Sequence, residues 1–318
     1  MQGEKRMNTA MRAARTMMML IAAACICLLC SCELSAPKVQ GTTRALVIGL
    51  DYSCYSDLAD SQLQGAVTDA LDMTAALRAM GAEVQTFIQS SDASCLPEGN
   101  QEPTKANVLA AIESIAQIAQ SQDCLVVYFS GHGLSSTLQD SAAVKGLCYS
   151  KALVFKASIG FEEGFYFLLE GESYKYTDAS ILLSKSEFTS AVESVRGATV
   201  ALVDTCASGS LAEAGGAIVS SDNASLSTKQ LLIAMGEEAS TMNVLASSRA
   251  DQVSYEVRTA EESYGVFTRA ILEGLGYDRA SGTVALSSLT LNQLAGFVTD
   301  LNVQNARLSG SPVDVTIF

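Results

Sequence analysis

A thiol and an imidazole are well suited to nucleophilic chemistry near neutral pH, and here each stands just past an apolar run. Cys206 lies in Asp204-Thr205-Cys206-Ala207-Ser208-Gly209, directly after Thr199-Val200-Ala201-Leu202-Val203. His132, the only histidine of the chain, lies in Phe129-Ser130-Gly131-His132-Gly133, after Leu125-Val126-Val127-Tyr128. A thiolate can attack a carbonyl carbon, and a neighbouring imidazole can protonate the departing amine. Taken singly, each has a plainer explanation: a lone histidine is more often a satisfied structural residue, and a cysteine beside a strand is more often inert core. The glycines flanking His132 argue otherwise, because they supply no packing and allow close approach of a ligand or another backbone. Small residues also follow Cys206. The two, 74 positions apart (206 − 132), are therefore read together as nucleophile and acid–base.

Strands must deliver both groups. The pattern predicts buried strands over 45–49, 83–88, 124–130, 199–203 and 243–247, with a terminal strand over 313–318. Helices are predicted over 64–80 and from Pro103-Thr104 onward, the latter with Val108, Ile112, Ile115 and Ile118 on one face. Further helices are expected over 185–195, 264–275 and 289–301, the first capped by Ser184 with Glu187 three residues on. Residues 134–180 read as hairpin-like insertions around Leu153-Val154-Phe155 and Phe165-Tyr166-Phe167-Leu168-Leu169, with a Gly/Ser/Ala-rich loop after Cys206. Strands alternating with helices imply an α/β domain with a mainly parallel sheet and helices on both faces. The strand ends are where such sheets place their sites. No dinucleotide fingerprint, Walker loop or Gly-x-Ser-x-Gly elbow is present.

Composition narrows the function classes. The chain is 48% hydrophobic and 17% charged, ordinary for a globular protein. Its net charge of −14 disfavours nucleic-acid binding and is compatible with basic peptides. Lys5, Arg6, Arg12 and Arg15 precede an apolar stretch over 17–29 and then Cys30-Ser31-Cys32. That stretch is short for a span and fits a signal peptide. Its end resembles a bacterial lipoprotein signal with Cys32 as the lipidated residue, although Cys30 is an uncommon choice there. A conventional signal or an uncleaved anchor is the alternative. The expected division is 1–31 signal, 32–43 tether and 44–318 one domain, exported and lipid-anchored to a bacterial membrane. Five cysteines then remain, Cys54, Cys95, Cys124, Cys148 and Cys206, so at least one thiol is free. Whether the other four pair is left open. One histidine rules out a histidine-rich metal site, and no metal ligand set is assigned.

From 44 to the C-terminus the chain resembles the caspase-like cysteine peptidases, most closely the metacaspase and bacterial caspase-homologue branch. The markers are Arg44-Ala45-Leu46-Val47-Ile48-Gly49, Leu63-Gln64-Gly65-Ala66-Val67-Thr68-Asp69-Ala70, Ser130-Gly131-His132-Gly133, Asp204-Thr205-Cys206-Ala207-Ser208-Gly209, Asp251-Gln252-Val253-Ser254-Tyr255-Glu256 and Tyr264-Gly265-Val266-Phe267-Thr268. The resemblance implies a caspase-like fold of about six strands, with Cys206 as nucleophile and His132 as catalytic histidine. It further implies backbone amides of Gly133 and Cys206 as oxyanion donors, with Asp69, Ser130 and Asp204 lining a pocket for Arg or Lys. The chain departs from animal caspases, which carry Gln-Ala-Cys-x-Gly and bind Asp. It also has Ala66 where many metacaspases have cysteine and Ala207 where they often have histidine. Related enzymes often cut themselves in the connector after the nucleophile, where Lys229 is the only basic residue between Ser210 and Met242. No cofactor is required, many members respond to calcium, and a monomer is the default. The competing readings are a catalytically silent caspase-fold peptide-binding scaffold and a legumain-like or gingipain-like peptidase.

Overall fold

Side chains alternate across a strand, so a run that is apolar at every position needs a layer of helices on each side. The computed structural model describes residues 41–53, 62–135, 165–170, 181–206, 217–218, 242–249, 252, 254–259, 262–310 and 314–318, all within one compact unit, Val39–Phe318. Its elements are β1 (Thr43–Leu50), α1 (Ala66–Ala79), β2 (Glu83–Gln89), α2 (Lys105–Ile118), β3 (Cys124–Ser130), β4 (Gly133–Ser135), β5 (Phe165–Leu168) and β6 (Leu182–Ser184). There follow α3 (Lys185–Glu193), β7 (Ala198–Asp204), β8 (Ala217–Ile218), β9 (Met242–Ala246), β10 (Glu256–Arg258), β11 (Ser263–Gly265), α4 (Val266–Leu275), α5 (Leu291–Phe297) and β12 (Arg307–Ser309).

The main sheet runs β2-β1-β3-β7-β9-β12-β8. Its first five strands are parallel, and β12 and β8 close one edge in antiparallel pairings. The mainly parallel sheet of about six strands is thus present, with the two-residue β8 as a seventh. Alternation splits its side chains into two cores. Val47, Val126, Tyr128 and Leu202 pack against Met73 of α1 and Phe267 and Ile271 of α4. Ile48, Val127, Phe129 and Val203 pack against Val108 and Ile112 of α2 and Phe188 of α3. Burying each of these larger aliphatic or aromatic side chains contributes roughly 1.5–3 kcal/mol, so the central register is strongly determined.

Several expectations change at the edges. On α2 the buried stripe is Val108, Ala111, Ile112 and Ile115 and passes on to Ala119, which leaves Ile118 56% exposed. Tyr264 belongs to β11, not to the helix after it, and α5 covers only Leu291–Phe297. The terminal strand expected over 313–318 does not join the sheet: among the described residues, Thr316 makes one isolated bridge to Thr290. There the backbone instead ties down the start of α5, with Leu291 N–H donating to Val315 O (2.9 Å) and Ile317 N–H to Leu289 O (2.8 Å). The sheet position goes to β12, too short and polar to read from pattern. The hairpin expectation around Phe165 holds, since β4, β5 and β6 form a separate antiparallel sheet; Leu153-Val154-Phe155 lies outside the described residues.

Helix α3 starts at the cap read from the sequence, with Ser184 Oγ accepting from Glu187 N–H (3.2 Å) and Glu187 Oε2 accepting from Ser184 N–H (3.0 Å). Ser184→Ala should lower the unfolding free energy by about 1 kcal/mol in urea titration, with the m-value unchanged.

Candidate active site

The spacing of the two reactive residues is the register of two strands. Strands β3 and β7 pair in parallel from Cys124↔Ala198 to Ser130↔Asp204, a constant offset of 74 (204 − 130). His132 and Cys206 stand two residues beyond the last pair on adjacent strands, whose axes lie about 4.8 Å apart. Gly131 N–H donates to Asp204 O (3.3 Å), carrying the link past the strand ends. His132, Cys206, Asp69, Ser130 and Asp204 all line one cleft of about 60 Å³. The backbone before Cys206 is pinned, because Ser247 and Ser248 Oγ both donate to Thr205 O (3.2 and 3.1 Å). Cys206 Sγ lies 4.0 Å from Ser254 O.

His132 rests on a residue that the sequence did not single out. The Tyr52 ring stacks on the imidazole with centroids 4.7 Å apart and planes 24° off parallel, and Tyr52 Oη accepts from His132 N–H (2.8 Å). Tyr52 is fully buried and has φ 59°, a left-handed conformation costing a non-glycine residue about 1–2 kcal/mol. Leu168 N–H donates to His132 O (3.0 Å), making that facing pair a hydrogen-bonded one. The next pair, Gly133↔Phe167, is then of the non-bonded kind, and Gly133 N–H turns away from β5. Gly133 itself does not line the cleft.

The acids form the other wall. Asp69 Oδ2 accepts from Gly265 N–H (2.8 Å). Asp204 Oδ1 accepts from Ser254 Oγ (2.6 Å), and its Oδ2 accepts from Thr268 Oγ1 (2.7 Å) and Thr268 N–H (3.2 Å). Gly265 fits between them: a Cβ there would collide with Asp204 Oδ2 and Asp69 Oδ2. Burial pushes the Asp69 carboxyl well above the usual carboxylate range, and the neighbouring Asp204 adds to it. Burial raises Asp204 as well, opposed by the hydrogen bonds from Ser254 and Thr268. Among the described residues, the other two buried acids are matched: Asp72, one turn from Asp69, holds Arg279, and Asp123 holds Arg44. Among the described residues, no lysine or arginine pairs with Asp69 or Asp204.

Cys32, Lys229, Cys54 and Cys148 lie outside the described residues, whereas Cys95 and Cys124 are free thiols. Burial pushes the Cys124 thiol up to about 12, which leaves it inert. Ser130 lines the cleft as expected. Five further residues shape the site without having been assigned to it from sequence: Tyr52, Ser254, Gly265, Thr268 and Glu256. The Glu256 carboxylate accepts from Gly65 N–H (2.9 Å) at the start of α1. Most of the five sit within the marker segments, so proximity to those motifs was the available signal. Among the described residues, no three His, Cys, Asp or Glu side chains gather as a ligand set for calcium or another metal.

This fold has counterparts among known proteins. The family model described as Caspase domain matches residues 42–295, most of the chain, and the protein belongs to that family. A protein named "Inactive metacaspase-4" from Trypanosoma brucei brucei is 32% identical over 101 residues, 32% of this chain and 28% of that protein. Metacaspase III c of Phaeodactylum tricornutum is 31% identical over 102 residues, again 32% and 28%. Metacaspase-1 of Cryptococcus neoformans var. neoformans is 35% identical over 97 residues, 30% and 20%. The matches thus span less than a third of these relatives. A crystal structure of a Geobacter sulfurreducens protein superposes with a TM-score of 0.51 at 15% identity, covering 86% of this chain and 95% of that one, a likeness of fold.

The raised acids set the sign of a pH effect. The native chain holds these protons longer than the unfolded one, so their favourable contribution is complete below the ordinary carboxylate range and is lost as pH rises through the raised values. Asp69→Asn should flatten that loss and stabilise the ligand-free chain at pH 7 by on the order of 1 kcal/mol, measured as a higher urea midpoint. An unchanged pH dependence of the midpoint would count against a raised Asp69 carboxyl.

Proposed function

We propose that the chain is a cysteine endopeptidase that cleaves after Arg or Lys, with Cys206 and His132 as a dyad. The observation that carries this reading is a pair of buried carboxylates with no cation against them among the described residues, in the same cleft as a thiol and an imidazole. An incoming guanidinium or ammonium supplies the missing charge and favours the ionised form of both acids. Bidentate geometry favours arginine over lysine.

With that side chain seated, the following carbonyl carbon meets Cys206 Sγ. His132 takes the thiol proton, the sulfur adds to that carbon, and the carbonyl oxygen takes the negative charge between the amides of Gly133 and Cys206. The direction of Gly133 N–H, away from β5, supports this role. Losing one such donor typically costs about a hundredfold or more in rate. The C–N bond then breaks as His132 gives a proton to the leaving nitrogen, because an amide nitrogen departs poorly as an anion. Water attacks the resulting thioester, its proton returns through His132, and the acid product and free thiol separate.

A silent peptide-binding scaffold remains the second reading, since one relative is named inactive. Under the leading reading, Lys229 is a site of self-cleavage and Cys32 a lipid attachment point. Mass spectrometry of the purified protein and of a Cys206→Ala control reads both.

Fluorogenic peptides differing only before the scissile bond are the decisive panel. Cleavage should follow Arg and Lys but not Asp, and His132→Ala should abolish it in a folded protein. Asp204→Asn should weaken basic substrates by ~2–5 kcal/mol in kcat/KM. Preferential cleavage after Asp would overturn the pocket assignment, and no cleavage by the unmodified chain would favour the scaffold.

A further inference from the structure

Tyr52 both stacks on the His132 ring and accepts from its backbone, and its hydroxyl occupies an unusual place. In a hydrogen-bonded antiparallel pair, two residues exchange both N–H···O bonds. For His132 and Leu168 one of the two is in place, Leu168 N–H to His132 O (3.0 Å). In the other, Tyr52 Oη is interposed: it accepts from His132 N–H (2.8 Å) and donates to Leu168 O (2.8 Å). One phenolic oxygen thus splices the ladder just where β4 begins, widening the separation by the width of an atom while keeping both polar groups satisfied.

The same residue is held from several directions. Its backbone N–H donates to Gln89 Oε1 (2.9 Å), its φ of 59° departs from the regular path of β1, and its ring lies flat on the imidazole. Gly131 leaves room for it, since a Cβ there would come within 2.9 Å of both Tyr52 Oη and Phe129 Cε1. Backbone strain of this kind persists where the surroundings over-determine it, often beside a site.

We propose that Tyr52 is a positioning residue for the His132 loop, its hydroxyl setting where the imidazole and the following Gly133 amide stand relative to Cys206. This rests on the peptidase reading for its catalytic consequence, but not for its structural one. The phenol suits the task because burial pushes its pKa far above physiological pH, so the donor to Leu168 O is always present. Tyr52→Phe removes the splice and keeps the stacked ring; Tyr52→Leu removes both.

The unique histidine provides a direct readout, because a tag-free chain gives a single imidazole Cε1–H resonance. Tyr52→Phe should shift and broaden that resonance, and should lower kcat on an arginyl peptide at least tenfold while KM changes less than twofold. Tyr52→Leu should in addition abolish the upfield ring-current shift. An unmoved resonance in Tyr52→Phe, with wild-type kcat, overturns the proposal. If the unmodified chain cleaves no peptide, the resonance alone decides: a shift in Tyr52→Phe upholds the positioning role while the peptidase reading fails, and no shift overturns both. Should Tyr52→Phe not fold, Gly131→Ala presses on the same hydroxyl. A shifted resonance in that variant then upholds the positioning role, and an unmoved one overturns it.

Discussion

The parallel pairing of β3 with β7 is the constraint from which the site follows. Because both strands are buried on both faces, a slip of one residue would turn each apolar side chain into the wrong core. The packing of Val126, Tyr128 and Leu202 on one side, and Val127, Phe129 and Val203 on the other, therefore fixes the offset of 74. That offset brings an imidazole and a thiol to one level without any direct interaction being needed to recruit them. Neighbouring elements then refine the arrangement: Ser247 and Ser248 hold the Cys206 side, and Tyr52 and Leu168 the His132 side.

The acid pair works against folding. Burial raises the proton affinity of both carboxylates, Asp204 raises that of Asp69 further, and the hydrogen bonds from Ser254 and Thr268 offset only part of this. Gly265, close to both, keeps the wall free of any side chain that would separate them. A site of this kind is destabilised while empty. Elsewhere on the same helix the chain takes the ordinary solution, closing Arg279 on Asp72.

Much of this was legible because short apolar runs and their ends are strong signals. The five parallel strands, the capping box at Ser184 and the pairing of Cys206 with His132 follow from pattern, and the placement of Asp69 and Asp204 in the same cleft follows from the family resemblance. Tyr52 was not legible, because its role depends on a left-handed turn and on a ladder formed 116 residues away at Leu168. Nor were the three-residue strands, which have no periodicity to read; β12 takes its place through backbone pairing with β9, with Leu308 the side chain it buries. Ile118 misled for a different reason: its type matched the buried face of α2, but at the helix end it is Ala119 that meets the core.

The most direct test of an arginine-reading thiol site is to react the intact chain with an arginyl peptide bearing a thiol-reactive group and to locate the adduct by mass spectrometry. Modification is expected at Cys206, with competition by an unreactive arginyl peptide and little reaction with an aspartyl analogue. Equal reaction with both probes, or modification of Cys95 in preference to Cys206, would contradict it.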